Sequence, residues 1–178
     1  LDITLDGSRL YVALLGGKSI AVVDLDSQTL VDSIPLDFNP GYIATSKPPY
    51  IFVTSSIEIA ERFSDEGETY QINTETKTAA RVIPPIGLLE VDRERNSLYI
   101  SVHDRLYQYR IDEEGNARYR DQINTEGPIT EMHISADGSR LFTISASPLT
   151  TPDQLINNGL ISGANNTAVN RVEVFNTD

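Results

Sequence analysis

Short apolar segments, each preceded by a polar turn, recur at a regular distance along the chain. Four of them share one form, with an aromatic residue in the strand: DGSRLYVA at 6–13, KPPYIFVT at 47–54, ERNSLYIS at 94–101 and DGSRLFTI at 137–144. Leu10 and Leu98 are 88 residues apart, and Leu98 and Leu141 are 43 apart, so the period is about 44 residues. A fixed period of this length predicts copies of one structural unit.

A second segment follows the first in every copy and alternates apolar with polar residues, as a half-buried strand does. The four segments are SIAVVDLDSQTL at 19–30, ETYQINTETKTA at 68–79, RLYQYRIDEEGNA at 105–117 and NRVEVFNTD at 170–178. The alternation breaks at Asp24, Asn73, Asp112 and Asn176. Such side chains accept hydrogen bonds from backbone N–H groups two or so residues later. We therefore favour turn-stabilising roles for these residues over metal binding.

A proline or glycine hinge separates the units and opens another apolar strand. Pro40, Pro85 and Pro128 are 45 and 43 residues apart, which matches the period. No stretch has a convincing helical period, so each unit is predicted to hold four strands, the pattern of a β-propeller blade. The chain is then all-β, a single propeller segment of about four blades of four antiparallel strands. The predicted blades are approximately 1–40, 41–86, 87–128 and 129–178, the last lacking one strand.

The phrases DGSRLYVA and SIAVVDLDSQTLVDSI resemble the YVTN-type β-propeller repeat. The hallmark of that repeat is a DG-x-x-hydrophobic-Y-V strand, followed by an alternating strand that ends in a D-x-x-T turn. The first unit carries both parts, the second at 26–29, whereas Pro48–Pro49 and Glu94–Arg95 replace the Asp–Gly turn in the second and third units. The resemblance implies a propeller that usually closes with seven blades, of which this chain supplies about four.

An open row of blades has exposed end faces, which is unusual in a stable protein. Three explanations compete: the chain is part of a longer propeller, which we favour, it pairs with another copy, or it closes as a small ring. An unpaired edge at Val172, Val174 and Phe175 would permit self-association by strand addition. The alternative is that the absent strand is encoded upstream of Leu1. The chain lacks an initiator Met and a signal sequence, so we expect a mature or excised segment.

Composition narrows the classes of function. A formal net charge of −12 with scattered basic residues disfavours nucleic-acid binding. The absence of cysteine removes disulfides, Cys-ligated zinc and thiol catalysis. No apolar run is long enough to span a bilayer. An acidic chain without cysteine is common among exported proteins, so we expect a periplasmic, secreted or cell-surface location.

Two insertions interrupt the plain repeat, at 55–68 and 145–169, both between the second and third strands of a unit. Loops on one rim of a repeat scaffold are a common binding surface, although a tolerated loop without a role is the alternative. The first insertion is acidic and the second is rich in polar residues that suit contacts to sugars or peptides. The candidate residues are Glu58, Glu61, Asp65, Glu66 and Glu68 in the first, and Asn157, Asn158, Asn165 and Asn166 in the second.

Calcium binding by the acidic insertion is a weaker expectation, because the D-x-[DN]-x-[DN]-G spacing is missing and a solvated acidic loop explains the cluster. No cofactor, metal site or catalytic residue is predicted, and no motif for phosphate binding, zinc hydrolysis or a nucleophile elbow occurs. The innermost strands offer Asp2, Glu90, Glu131 and His133 as candidates for a central channel.

The leading hypothesis is a non-enzymatic binding or scaffold module of an exported or cell-surface protein, whose insert loops contact a protein or a glycan. The alternative is part of a propeller enzyme. Proteins similar in repeat style include lactonases and quinoprotein-like dehydrogenases, and the resemblance implies a channel site that further blades would complete. The four channel candidates are few for such a site.

Overall fold

The computed structural model describes residues 1–55, 68–83, 87–125, 127–147 and 169–177. Within these ranges the chain forms fifteen β-strands. In chain order they are β1 Asp2–Ile3, β2 Arg9–Leu14, β3 Ser19–Asp24, β4 Thr29–Pro35, β5 Pro40–Thr45, β6 Tyr50–Ser55, β7 Thr69–Asn73, β8 Thr78–Ile83, β9 Leu88–Asp92, β10 Ser97–Val102, β11 Arg105–Ile111, β12 Ala117–Asn124, β13 Ile129–Ile134, β14 Arg140–Ser147 and β15 Val169–Asn176.

The strands form four antiparallel sheets in simple up-and-down order. Three sheets have four strands, β1 to β4, β5 to β8 and β9 to β12, and the fourth has β13, β14 and β15. The predicted all-β architecture of about four repeated sheets, with one strand fewer in the last, is therefore confirmed. We number the sheets one to four in chain order.

The repeated phrase DGSR forms the same hairpin in the first and fourth sheets. The Asp6 carboxylate accepts hydrogen bonds from the Thr4 hydroxyl at 2.6 Å and from the Ser8 backbone N–H at 3.1 Å. Asp137 repeats this with the Ser135 hydroxyl at 2.6 Å and the Ser139 N–H at 3.0 Å. These donors stabilise the charged form, and the pKa of each aspartate falls from 3.8 to about 2. The phrase recurs because the first and fourth sheets stabilise this turn with the same aspartate hydrogen bonds.

The aspartate and asparagine residues that end the third strands also stabilise turns. Asp24 Oδ1 accepts from the Ser27 N–H at 2.8 Å, and Asn73 Oδ1 accepts from two backbone N–H groups at 3.0 Å. Asp112 Oδ1 accepts from the Asn116 N–H at 2.8 Å. The turn-stabilising role predicted from the sequence is confirmed at these three positions.

Alternation along the strands gives each sheet two apolar faces, since successive side chains point to opposite sides. The face that packs on the next sheet in chain order is called here the forward face, and the opposite one the rear face. Tyr11, Phe52 and Tyr99 lie on forward faces, and each belongs to a buried cluster shared with the following sheet. The core is thus a series of three junctions, each a forward face against a rear face.

The first strand of each sheet lies beside the first strand of the next: β1 contacts β5, β5 contacts β9, and β9 contacts β13. These four strands therefore form the inner line around which the sheets are arranged. Residues at their ends come close together although they are far apart in sequence.

Candidate functional site

A polar cleft of about 280 Å³ opens at the end of the inner line where β1, β9 and β13 finish. The first, third and fourth sheets all contribute to its walls. The lining residues that bear charge are Asp2, Glu90, Asp92, Arg93 and Glu94, and Leu5, Val91, Ile134, Ser135, Ala136 and Gly138 complete it.

Three of the predicted channel residues, Asp2, Glu90 and His133, occupy equivalent positions in their sheets. Asp2 pairs across the ladder with Tyr11, and Glu90 pairs with Tyr99. The corresponding residues are Ala44, opposite Phe52, and His133, opposite Phe142. Each position lies on a forward face, next to an aromatic residue of the second strand. The repeat therefore presents Asp, Ala, Glu and His in turn to the following sheet.

Asp2 joins the first three sheets. Its Oδ2 accepts hydrogen bonds from the backbone N–H and the hydroxyl of Thr45 in β5, both at 2.7 Å, and from Arg93 Nη2 at 2.9 Å. Arg93 also donates to the Ile3 carbonyl at 2.9 Å, to the Thr45 carbonyl at 3.1 Å and to the Thr45 hydroxyl. The side chains of Asp2 and Arg93 are 32% and 25% exposed, so the pair is partly shielded from water.

Glu90 makes the equivalent bond two junctions further on, between the third and fourth sheets. Its Oε1 accepts from the Ile134 backbone N–H at 3.3 Å, 44 residues later, as Asp2 accepts from a backbone N–H 43 residues later. Burial raises the pKa of Glu90 above 4.5, and the charge of Asp2 adds to the rise. The Ile134 N–H, His133 and Arg93 oppose it. Glu90 is therefore a carboxyl group that is harder to ionise than an ordinary glutamate.

The other two channel candidates do not line this cleft. His133 and Glu131 are exposed on β13 and point to the forward face of the fourth sheet, opposite Phe142 and Ile144 respectively. The structure thus brings Asp2 and Glu90 together at the cleft and leaves Glu131 and His133 outside its lining.

The sequence analysis missed Arg93 and Thr45, which hold the centre of this site. Arg93 is the first residue of the turn after β9, where the equivalent residues of the first and fourth sheets are Leu5 and Ala136. The second sheet has Lys47 at this position, so a charged residue here did not by itself mark Arg93. Thr45 ends the strand YIAT, and nothing in its local pattern marks it.

The candidate residues in the insertions lie mostly outside the described residues: Glu58, Glu61, Asp65, Glu66, Asn157, Asn158, Asn165 and Asn166. Glu68 is described, and its carboxylate accepts a hydrogen bond from the Tyr70 hydroxyl. Across the ranges that the structure describes, no three acidic or histidine side chains are grouped so as to hold a metal ion. The strand ends after β6 and β14, from which the insertions leave, lie at the opposite end of the strands from the cleft.

The edge predicted at Val172, Val174 and Phe175 lies on β15, which pairs with β14 and is the outer strand of the fourth sheet among the described strands. Val172 and Val174 are 60% and 50% exposed, but Phe175 packs against the cluster between the third and fourth sheets. The reason is strand alternation: Phe175 pairs with the buried Leu141, whereas Val174 pairs with Phe142 on the forward face. The exposed apolar residues therefore form a face of the sheet, and Phe175 is not among them.

No protein-family model matches the chain, and no curated protein sequence matches it. Solved structures do. Hydrazine synthase from Kuenenia stuttgartiensis matches with a TM-score of 0.61 at 16% identity, over 84% of this chain and 42% of that one. Dihydro-heme d1 dehydrogenase NirN, in complex with DHE, matches with 0.61 at 14% identity, over 81% and 32%. The WD40 repeats of RRP9 match with 0.60 at 13% identity, over 82% and 44%.

The chain has the β-propeller fold. Its four sheets are propeller blades, and the chain spans less than half the length of each of these three structures. Propellers serve both as enzymes and as interaction scaffolds, so the fold does not decide between these functions. The part of this propeller that the structure describes contains no helix long and apolar enough to cross a membrane.

Proposed function

We propose that this propeller segment is a non-enzymatic binding module of an exported or cell-surface protein, with a YVTN-type repeat. The insertions at 55–68 and 145–169 present its binding surface to a protein or a glycan. The WD40 neighbour supports a protein partner by analogy of fold, and the position of both insertions after a second strand supports a common face.

The observation that carries the proposal is the use of the ionisable residues at the inner strands. Asp2 and Arg93 are bonded to each other and to Thr45, and Glu90 is bonded to the backbone of β13. Asp92 is held as well, since its Oδ1 accepts from the backbone N–H groups of Glu94 and Arg95, both at 3.0 Å. These groups link neighbouring sheets and stabilise turns. A structural role therefore explains their presence, and no catalytic role is needed.

The second candidate is an enzyme of lactonase or quinoprotein-like type, with a site at the inner strands. One observation favours it: Glu90 is a carboxyl group of raised pKa in a polar cleft, the setting of many general acids and bases.

The test compares the chain with a variant in which 56–67 and 148–168 are each replaced by a short Gly-Ser linker. Both proteins are probed with a glycan array and with a phage-displayed peptide library selected on the intact chain. We expect ligands whose affinity for the variant is at least tenfold weaker, while the two melting temperatures stay close. Equal affinity for both proteins would contradict binding through the insertions.

The enzyme candidate is tested in parallel by hydrolysis of glucono-δ-lactone, comparing the chain with Glu90→Gln. We expect no rate above buffer for either protein. A rate that is present in the chain and lost in Glu90→Gln would replace the binding proposal by the enzymatic one.

A further inference from the structure

Three polar side-chain atoms are buried in the junction between the third and fourth sheets. Within the part of the chain that the structure describes, no donor or acceptor lies within hydrogen-bond distance of Thr143 Oγ1, Ser145 Oγ or Glu173 Oε2. Thr143 and Ser145 are only 0% and 1% exposed. Burying a polar oxygen without a hydrogen bond is costly, and native proteins rarely do so. Each of these atoms therefore needs a partner.

The three atoms belong to one small patch. Thr143 and Glu173 are directly opposite each other in the ladder between β14 and β15, where Cβ atoms are about 4.5–5.5 Å apart. Ser145 is two residues beyond Thr143 on β14, so both side chains point to the same face. This is the rear face, because Leu141 on the same alternation belongs to the buried cluster that includes Tyr99 of the third sheet. A single small molecule between them can therefore contact all three oxygens.

The fourth sheet is polar at three positions where the other sheets are mostly aliphatic or aromatic. The ladder pairs around the aromatic residue of each second strand give the equivalent positions. Thr143 corresponds to Val12, Val53 and Ile100, Ser145 to Leu14, Ser55 and Val102, and Glu173 to Ala21, Tyr70 and Tyr107. Ser55, the other serine of this set, has a partner, since its hydroxyl accepts from the Glu68 N–H at 3.2 Å. The fourth sheet thus carries unpartnered polar groups at three neighbouring positions at once, which a shared polar ligand explains.

We propose that Thr143, Ser145 and Glu173 bind one ordered water molecule between the third and fourth sheets. A water can donate to the Glu173 carboxylate, accept from one hydroxyl and bond the other, and buried waters have two to four such partners. Room for it is expected, because Ser145 and Glu173 are smaller than Val102 and Tyr107, which hold these positions in the third sheet. Three oxygens with one carboxylate among them suit water better than calcium, which takes about six to eight oxygen ligands.

The first experiment measures the melting temperature of Thr143→Val, which keeps the shape of the side chain and removes its hydroxyl. A hydroxyl that is bonded to water stabilises the fold, so we expect a fall of about 2–4 °C. An unpartnered buried hydroxyl opposes folding, so an equal or higher melting temperature would overturn the proposal. Thr54→Val is the reference with a known bond, because Thr54 is also 0% exposed and its hydroxyl accepts from the Tyr42 N–H at 2.9 Å. It should lower the melting temperature by a similar amount.

A shared water also couples the two hydroxyls. Ser145→Ala alone should lower the melting temperature, and the double variant with Thr143→Val should fall by less than the sum of the two single falls, because both lose the same water. A direct bond between Thr143 and Glu173 would not involve Ser145. An unchanged or raised melting temperature for Ser145→Ala, or additive falls, would therefore overturn the shared water.

A crystal structure of the chain at about 1.8 Å resolution identifies the ligand. We expect density at about 2.7–3.2 Å from the three oxygens, which is absent from the double variant. Density at about 2.4 Å, with a melting temperature that is higher in sodium or calcium chloride than in choline chloride of equal ionic strength, would identify a cation and overturn the water. Side chains bonded to one another with no density between them would overturn it as well.

Discussion

The junction between the first and second sheets and the junction between the third and fourth sheets place a carboxylate at the same ladder position. Asp2 is met by two groups of Thr45 and by a guanidinium, whereas Glu90 has one bond of 3.3 Å to a backbone N–H and a pKa raised by burial. The charge of Asp2 is paired and stabilises the first of these junctions. Burial makes the charge of Glu90 unfavourable in the other. Carboxylates at equivalent positions of the repeat can therefore stabilise or destabilise the fold, because the surrounding polar and charged groups determine whether the charge is favourable.

The largest effect is expected from Arg93→Ala, which removes the cation from the first junction. Asp2 would keep its bonds to Thr45 but lose its counter-ion, and the carbonyl groups of Ile3 and Thr45 would lose donors. The partial exposure of the pair lowers the cost of breaking it below that of a fully buried pair, so we expect a loss of about 2–3 kcal/mol in unfolding free energy. Urea denaturation measures it.

Arg118→Ala is the control for this loss. Arg118 also pairs with an aspartate, at 3.3 Å from Asp112, but its side chain is 78% exposed. A solvated pair contributes little, so the change should stay within about 0.5 kcal/mol. Equal losses for the two arginine variants would contradict a special role for Arg93.

A smaller loss is expected from Asp2→Asn, which keeps the shape of the side chain and removes its charge. One amide oxygen can still accept from Thr45, but the charge-assisted bond to Arg93 weakens, and we expect about 1–2 kcal/mol at neutral pH. The double variant Asp2→Asn with Arg93→Ala should cost less than the sum of the two single variants, because they share one interaction. Additive losses would show that the two residues act independently.

The third prediction uses the matched hairpins at the two junctions. Gly7 and Gly138 have φ values of 71° and 65° in the same DGSR turn, so alanine is strained at both and should cost about 1 kcal/mol. A Cβ on Gly7 meets nothing within 4 Å, whereas one on Gly138 meets Arg95 Nη1 and the Asp92 carboxylate. Arg95 would have to give up its bond of 3.2 Å to the Asp137 carbonyl. We therefore expect Gly138→Ala to cost about 1 kcal/mol more than Gly7→Ala, by thermal unfolding.

Equal melting temperatures for the two glycine variants would mean that Arg95 relocates freely. The bond between Arg95 and the Asp137 carbonyl would then contribute little to the junction between the third and fourth sheets.

The fold could be predicted from the sequence because the propeller repeat is local. A polar turn and an alternating strand recur in each unit, and a proline or glycine hinge separates the units. The hairpin bonds of Asp6 and Asp137 join residues only two apart. The position of Asp2 and Glu90 on inner strands could be predicted for the same reason.

The bonds of the site could not be predicted, because they join residues one or two periods apart. Arg93 reaches Asp2 across 91 residues, and its reach depends on the length and direction of a side chain in a turn. Glu90 and His133 take the same forward-face position in their sheets, yet only Glu90 lines the cleft, and the repeat pattern does not reveal that difference. Repeat alignment gives equivalent positions, but not what each position contacts.

The smallest and most diagnostic effect is expected from Glu90→Gln. Because the folded-state pKa of Glu90 is raised above 4.5, the folded chain binds the proton more tightly than the unfolded chain does. The contribution of this group to stability is therefore favourable below pH 4.5 and is lost as the pH rises through the folded-state pKa. Glutamine carries no charge and can still accept from the Ile134 N–H, so the variant should gain melting temperature relative to the chain between about pH 4 and about pH 7. Glu94→Gln is the control, since it removes a charge from an exposed residue of the same cleft. A Glu90→Gln variant that is less stable than the chain at pH 7, as Asp2→Asn is expected to be, would show that the two junctions use their carboxylates in the same way.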